Sequence, residues 1–416
     1  MLVAIYAILV LNLVLIVHEL GHFIAARCFG IRVLTAQVGF GKQLLSWQPG
    51  ETNYVFGLIP LGGRITFDQE MFDHRPAWQR FLVIASGPTA NLLLALFLST
   101  AAFLYGIPQP AYLSNPAVVG YVAPHSAAES AGLHLGDRIT GVSGAPILTW
   151  KDLNGALANR PSDTHAVSVM RDGQSLFLSI KGAVGSPEGW GIKPAIPARV
   201  EKVLPGSPAE IAGIMPGAWI LSFNDQPVVS WDHLLALIQS SKGAGFWLEW
   251  SDGGKERKRV EVVPENKEGV FKVGIVPTIE TRRDSQNLLS AFYSGIQKVV
   301  VFVLFTWTGL LSMVASFSMD SLGGPIAAIQ TAGTALSLDV ARQFQLAALI
   351  STQIGLINLV PLPVLDGGQL ILLGAEKVRG KRLSPRLVAL YNTVGAAAFA
   401  FLLMFVFLKD LRGLLP

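Results

Sequence analysis

Residues 14–27 read VLIVHELGHFIAAR, placing two histidines and a glutamate inside a run otherwise suited to a bilayer. On a helix, His18 and His22 lie one turn apart on one face, so both imidazoles can reach a single ion. Glu19 sits beside them. In the zinc-peptidase use of H-E-x-x-H this glutamate is not a ligand; it takes a proton from metal-activated water and passes it to the leaving amine. Zinc contributes by lowering the pKa of that water from about 15.7 to about 7. A carboxylate near mid-helix costs about 2.5–3.5 kcal/mol on insertion scales, so an ionisable group in such a place marks function. The competing reading is a buried polar cluster that only holds helices together.

Composition supports a membrane setting. Of 416 residues, 51% are hydrophobic and 14% charged, with a mean hydropathy of +0.47, outside the range of ordinary soluble domains. The net charge of +4 is modest, and the basic residues flank apolar runs without the aromatic interleaving that nucleic-acid binding would suggest. A single cysteine, Cys28, excludes an intrachain disulfide and reads as a small packing residue.

Residues 2–24 are long enough to cross roughly 30 Å of hydrocarbon. They lack the basic start of a signal peptide, which points to a retained helix. The run 81–105 gives a second crossing, 344–373 a third that is broken by NLVPLPVLDGG, and 387–408 a last. Arg27, Arg32, Lys42, Arg64, Arg75 and Arg80 lie between the first two crossings. Lys377, Arg379, Lys381, Arg382 and Arg386 precede the last. The positive-inside rule puts both connections in the cytoplasm and leaves the N-terminus and residues 106–285 outside. An odd number of crossings is then expected between 285 and 377; with 344–373 crossing, the apolar run 288–317 is expected along the outer interface or as a re-entrant segment. The resulting plan is a multi-pass α-helical membrane protein of about four spans: 1–32, 81–106, 341–376 and 385–410. A re-entrant β region occupies 33–80, and interfacial or re-entrant helices with GGP occupy 285–340.

The middle of the chain repeats itself. VAPHSAAESAGLHLGDRITGVSGAPILTW (122–150) aligns in register with VLPGSPAEIAGIMPGAWILSFNDQPVVSW (203–231), and the stretches end in WGIKPAI and VGIVPTI. Two copies of one α+β domain follow, over 115–196 and 197–281. They resemble PDZ domains of the bacterial, circularly permuted kind, which receive a peptide as an added strand. That resemblance makes Gly191-Ile192 and Gly274-Ile275 the carboxylate-binding edges; the alternative is a pair of bulky spacers. His125, His134, His165 and His233 lack ligand spacing and read as surface or packing residues.

A catalytic zinc normally takes three protein ligands. The metzincin pattern would need a histidine at position 28, which is Cys28, so that class is excluded. His74 stands in a basic loop and is a poor candidate. Asp366 is the only acid in a long apolar stretch, follows helix-breaking prolines and precedes glycines that let backbone approach closely. Its ordinary alternative is a turn or helix cap. Topology favours the ligand, because His22 and Asp366 both near the cytoplasmic ends of their helices.

H-E-L-G-H in the first helix, GPTAN in the second, the tandem repeat, GGP at 323–325 and NLVPLPVLDGG near the end together resemble the site-2 protease family of intramembrane zinc metalloproteases. The likeness covers nearly the whole chain, with the motifs in family order. It implies one zinc held by His18, His22 and Asp366, with Glu19 as general base. It also implies that Asn358 holds the substrate strand and that Asn91 packs near the site. Gln353 stands where some relatives have asparagine, which departs from that substrate clamp.

Residues 33–67 alternate in hydropathy and carry several glycines, which suggests strands and turns dipping towards the membrane. In similar members such a sheet offers its edge to the substrate, which makes Gly39, Phe40 and Gly41 candidate contacts; the alternative is a plain cytoplasmic hairpin. The implied activity is cleavage of single-span membrane proteins already shortened on the periplasmic side, such as an anti-sigma factor or signal-peptide remnants, in a bacterial inner membrane. Nucleic acid is not an expected partner. The alternative function is a non-catalytic membrane adaptor carrying PDZ domains. A transporter is disfavoured, because the hydrophobic segments show no inverted repeat.

Overall fold

The structure is a computed structural model that describes residues 2–159, 164–182, 185–253, 256–316 and 339–412. It divides into two compact units, residues 1–108 with 283–416, and residues 109–282.

The first unit is helical. Helix α1 (Leu2–Cys28) ends with Arg27 in its last turn, where a cation complements the helix dipole. After it, β1 (Val33–Trp47) and β2 (Asn53–Phe67) form a hairpin whose long strands bend. Residues 33–38 pair antiparallel with 63–67 and also lie beside 53–56, while 43–47 pair with 54–57. The arms are therefore ordered 43–47, 53–57, 33–38, 63–67, with 63–67 at one edge. The bend in β1 needs Gly39, whose φ is +77° and whose added Cβ would lie 2.6 Å from the Ile59 carbonyl oxygen. Thr52, fully buried, accepts from Arg27 Nη2 and donates to the Val33 carbonyl, both at 2.8 Å, which ties the hairpin to the end of α1. Cys28, expected to pack, is exposed, because it falls on the outer side of that last turn.

A short helix, α2 (Gln69–Asp73), leads into α3 (Ala77–Tyr105). Ala26, Ile31, Val33, Phe72, Val83, Ile84 and Leu373 bury one another where α1, the hairpin, α2 and α3 meet a helix from the chain's far end. Arg80 is ion-paired with Glu376, and Arg382 with Asp73 at 3.2 Å, so the two basic connections lie at one end of the helices.

The second unit spans β3 (Ile107–Pro110) onwards and contains two successive halves with the same element order. The first has β4 (Val119–Val122), α4 (Ala127–Ser130), β5 (Arg138–Val142), β6 (Ala145–Pro146), α5 (Trp150–Asn159), β7 (Thr164–Arg171), β8 (Gln174–Lys181) and β9 (Ile192–Pro194). The second has β10 (Val200–Val203), α6 (Pro208–Ile211), β11 (Trp219–Phe223), β12 (Gln226–Pro227), α7 (Trp231–Ser240), β13 (Phe246–Ser251) and β14 (Arg257–Val262). It then adds a small hairpin, β15 (Glu265–Lys267) and β16 (Val270–Lys272), before β17 (Ile275–Pro277); β18 (Thr281–Asp284) leads back to the first unit. Each half has a four-stranded sheet, ordered β6-β5-β7-β8 or β12-β11-β13-β14, and a two-stranded one, β4-β9 or β10-β17. The short helices begin alike: Ser126 and Ser207 each accept from the backbone N–H three residues on, at Glu129 and Glu210. Each half buries its own core, around Trp190 and around Trp250. His165 is a packing residue, edge-on to Trp190.

Back in the first unit, α8 (Leu288–Ser316) is one continuous helix, and Leu288–Gly309 is long and apolar enough to cross a membrane, as are Ile8–Cys28 and Ala77–Tyr105. The run expected at the interface or as a re-entrant segment is one unbroken helix beside α3, with Gly295 against Thr100 and Phe302 clustered with Ala95 and Leu98. The GGP at 323–325 lies outside the described residues. Helix α9 (Val340–Asn358) begins where Arg283 is ion-paired with Asp339 and Arg342 donates to the Pro108 carbonyl, so α8 and α9 start at the same end. The expected third span is divided into α9 and α10 (Asp366–Arg379), joined by a break in which Val364 has φ +79°. A β-branched residue there is strained, and such strain concentrates at functional sites. Helix α11 (Pro385–Arg412) follows, with Gly395 against Pro363 of the break.

Candidate metal centre

His18 and His22 occupy successive turns of α1, and Asp366 is the first residue of α10. The break before Asp366 folds tightly: a Cβ on Gly368 would lie 2.7 Å from the Leu362 carbonyl carbon, so only glycine lets the helix start there. Asp366 does not cap its own helix, whose N-cap is Leu365. Instead its buried Oδ2 accepts no hydrogen bond and lies 3.1 Å from His18 Nε2 and 3.4 Å from His22 Nε2; the two Nε2 atoms are 3.3 Å apart. Ligands placed tetrahedrally at 2.0–2.1 Å from zinc stand about 3.3 Å from one another. The triangle therefore has the edges of one face of such a site. Among the described residues these three form the one cluster of His, Cys, Asp or Glu able to hold a metal.

Helix α3 makes room for it. A Cβ on Gly87 would stand 2.8 Å from His18 Nε2 and would also collide with His22 Nε2, so any side chain at 87 would fill the space where the donors converge. Gly21 of α1 similarly faces the backbone of Ser86, and these two glycines bring the helices close. His22 Nδ1 lies 2.8 Å from the Val83 carbonyl. A carbonyl can only accept, so Nδ1 carries the proton and Nε2 presents its lone pair to the site. The donor set, its spacing and the glycine cradle fit a zinc ion.

Glu19 is fixed from the hairpin. Its Oε2 accepts the Ile65 N–H at 2.9 Å, and Gly63 leaves room, its absent Cβ falling 3.2 Å from Glu19 Cγ. Ile65 lies in the edge arm 63–67, so this N–H points away from residues 33–38. Val83 and Ile65 carry no signal in the sequence, because each acts through its backbone; Gly87 opens the GPTAN motif and Gly63 is among the glycines of 33–67, but what each does shows only in the packing on α1.

The other candidates are placed as follows. Gly39, Phe40 and Gly41 sit at the bend of β1, with the Phe40 ring against Gly62; it is Gly63 and Ile65 that reach Glu19. Asn358 is the last residue of α9, half-buried, and Gln353 lies one and a half turns before it. Asn91 is wholly buried beside His18. His74 is exposed, its Nδ1 on the Glu70 carbonyl. Gly191 and Gly274 have φ of +82° and +81° and pack on Ser126 and Ser207. The Gly191 carbonyl and Ala195 N–H face β4, as the Gly274 carbonyl and Thr278 N–H face β10. By alternation Ile192 and Pro194, and likewise Ile275 and Pro277, turn their backbones outward.

Residues 6–403 match the model of peptidase family M50. The chain is 30% identical over 453 residues to a candidate zinc metalloprotease of Neisseria meningitidis, covering 99% of this chain and 98% of that protein. It is 29% identical over 449 residues to the regulator of sigma-E protease of Escherichia coli, covering 98% of each, and 29% identical over 430 residues to the regulator of sigma E protease of Haemophilus influenzae, covering 95% of each. The chain belongs to peptidase family M50 and is a zinc metalloprotease.

Proposed function

We propose that the chain is an endopeptidase of the bacterial inner membrane that cuts the membrane segments of single-span proteins. The observation that carries this reading is the triangle of His18, His22 and Asp366, with Glu19 on the same turn of a helix apolar enough to cross the membrane. His18, His22 and Asp366 would hold one ion. Zinc, when bound, supplies a Lewis acid that polarises the scissile carbonyl and activates water. Glu19, steadied by the Ile65 N–H, takes the proton of the attacking water and delivers it to the leaving amine.

A membrane helix shields its peptide bonds with its own hydrogen bonds, so a substrate must unwind and pair elsewhere. The arm 63–67 is the edge nearest Glu19, and strand addition there would lay an extended substrate across the triangle. Asn358, at the end of α9, would hold the other side of that strand.

The N-terminus and residues 109–282 would lie in the periplasm and the metal centre towards the cytoplasmic end, where both basic connections gather. The two halves of the outer unit are read as PDZ domains that hold back intact ectodomains. Their outward edges offer Ile192 and Ile275 N–H groups but prolines two residues on, which leaves little for a peptide to pair with. Relatives named as regulators of sigma-E protease make a membrane-bound anti-sigma factor the first substrate to try, with signal-peptide remnants second.

The test is Glu19→Gln in the full chain. Cleavage of a single-span reporter should fall about 100-fold or more, with zinc content unchanged. Cleavage at the original rate would refute the assignment.

A further inference from the structure

We propose that Asn91 is a positioning residue for the metal, setting the tautomer of His18 through its side-chain carbonyl and making no contact with substrate. The inference deepens the zinc reading above and rests on it.

Asn91 has no accessible surface, so a substrate cannot touch it without the helices parting. Its main-chain carbonyl oxygen accepts from Ser351 Oγ at 2.8 Å, and the bare Gly355 lets α9 close over it, an added Cβ falling 3.2 Å from Asn91 Cβ. Thus α9 fixes the backbone from behind. The side-chain amide is placed with Nδ2 3.3 Å from His18 Nδ1 and with Oδ1 buried without a partner.

The two ends of an amide have nearly the same shape, and chemistry must assign them. With nitrogen towards His18, Nδ1 would have to accept. The imidazole proton would then sit on Nε2, directed at Asp366 Oδ2 and His22 Nε2, and His18 could not be a ligand. With oxygen towards His18, Nδ1 donates and Nε2 keeps its lone pair. Either orientation leaves one amide atom unpaired, so the choice turns on what each offers His18. Only the second is compatible with three lone pairs converging at 3.1–3.4 Å.

The arrangement is symmetrical about Gly87. Val83, Gly87 and Asn91 stand at i, i+4 and i+8 on one face of α3, and α3 runs antiparallel to α1. The Val83 carbonyl takes the Nδ1 proton of His22, Gly87 leaves space for the ion, and the Asn91 amide, turned with its oxygen towards His18, takes the Nδ1 proton of His18. One face of one helix therefore orients both histidines.

The experiment measures zinc affinity by chelator competition in the purified full chain, for Asn91→Asp and Asn91→Leu. A carboxylate can only accept, so Asn91→Asp should keep the affinity within about threefold, whereas Asn91→Leu, of similar size, should lose about 10–100-fold. Loss in both variants, or retention in both, would overturn the proposal. If Asn91→Leu fails to fold, nitrogen NMR of His18 in the metal-free wild-type chain decides: a proton on Nδ1 supports the assignment, and one on Nε2 overturns it. That measurement needs no zinc and no cleavage. Its failure is thus distinguishable from failure of the zinc reading, which would show as wild-type protein that binds no zinc.

Discussion

Two kinds of exposed strand edge occur in this molecule, and they differ in what they can still donate. The arm 63–67 pairs with 33–38 on one side; on the other, the Ile65 N–H holds Glu19, and no proline interrupts the arm. Strands β9 and β17 pair with β4 and β10 on one side, and on the other carry Pro194 and Pro277 at the second outward position. Proline is one of the devices by which proteins stop an edge from growing. The first edge is coupled to Glu19, and on the proposed reading an incoming substrate strand would extend it. The other two stop after one donor, at the same place in both halves. On that reading the same backbone chemistry would serve capture in one unit and its prevention in the other.

Gly87→Ala should sharpen the contrast most, because it removes the metal while leaving every strand in place. The added methyl would enter the space between the two Nε2 atoms, and zinc affinity should fall roughly 100-fold or more. Metal analysis of the purified variant checks this, and retained zinc would mean that α3 does not border the ion.

Ile65→Pro makes the first edge resemble the other two. An edge strand tolerates proline when the lost N–H faces outward, so the hairpin should survive. A hydrogen bond to a charged group is worth about 1.5–3 kcal/mol, so cleavage should slow about tenfold or more with zinc content unchanged. An unchanged rate would show that Glu19 needs no support from the sheet.

The reverse change, Pro277→Val, restores an outward donor to β17. One added hydrogen bond of about 1 kcal/mol should tighten binding of a C-terminal peptide about fivefold, as read by titration calorimetry. No gain would mean that something other than proline closes that groove.

The smallest effect is expected with pH. Burial holds His233 of α7 below the ordinary histidine range. The unfolded chain then binds more protons than the folded one near pH 6.5, so this contribution is complete above that value and is lost as pH falls below it. His233 adjoins Asp232, which holds Lys193 of β9 at 2.7 Å. Urea unfolding should therefore show the second half slightly less stable at pH 5.5 than at pH 7.5. Equal stability would argue that His233 is solvated.

How much of this could be read from residues alone follows from where each role resides. His18, Glu19 and His22 were legible because helical spacing is local, and Asp366 because one acid in an apolar stretch stands out. The doubled core of residues 109–282 was legible through its repeat. Val83 and Ile65 were not, nor was what Gly87 does within GPTAN, since these roles depend on which helix or strand packs against α1, and no local pattern encodes that. The glycines of 39–41 were legible as a break in β1, and the structure places them at its bend. That 288–316 is one unbroken helix against α3 was not legible, because an apolar run looks alike whether it spans, re-enters or lies at an interface. Cys28 was read as packing on residue type, although its position on the last turn of α1 exposes it.

The account depends most on Asp366 joining the two histidines at one ion. X-ray absorption at the zinc edge, on the wild-type chain and on Asp366→Cys, tests this directly. The account predicts only nitrogen and oxygen neighbours near 2.0–2.1 Å in the wild type, and one sulfur near 2.3 Å in the variant. A shell of nitrogen and oxygen alone in Asp366→Cys, with zinc still bound, would contradict it.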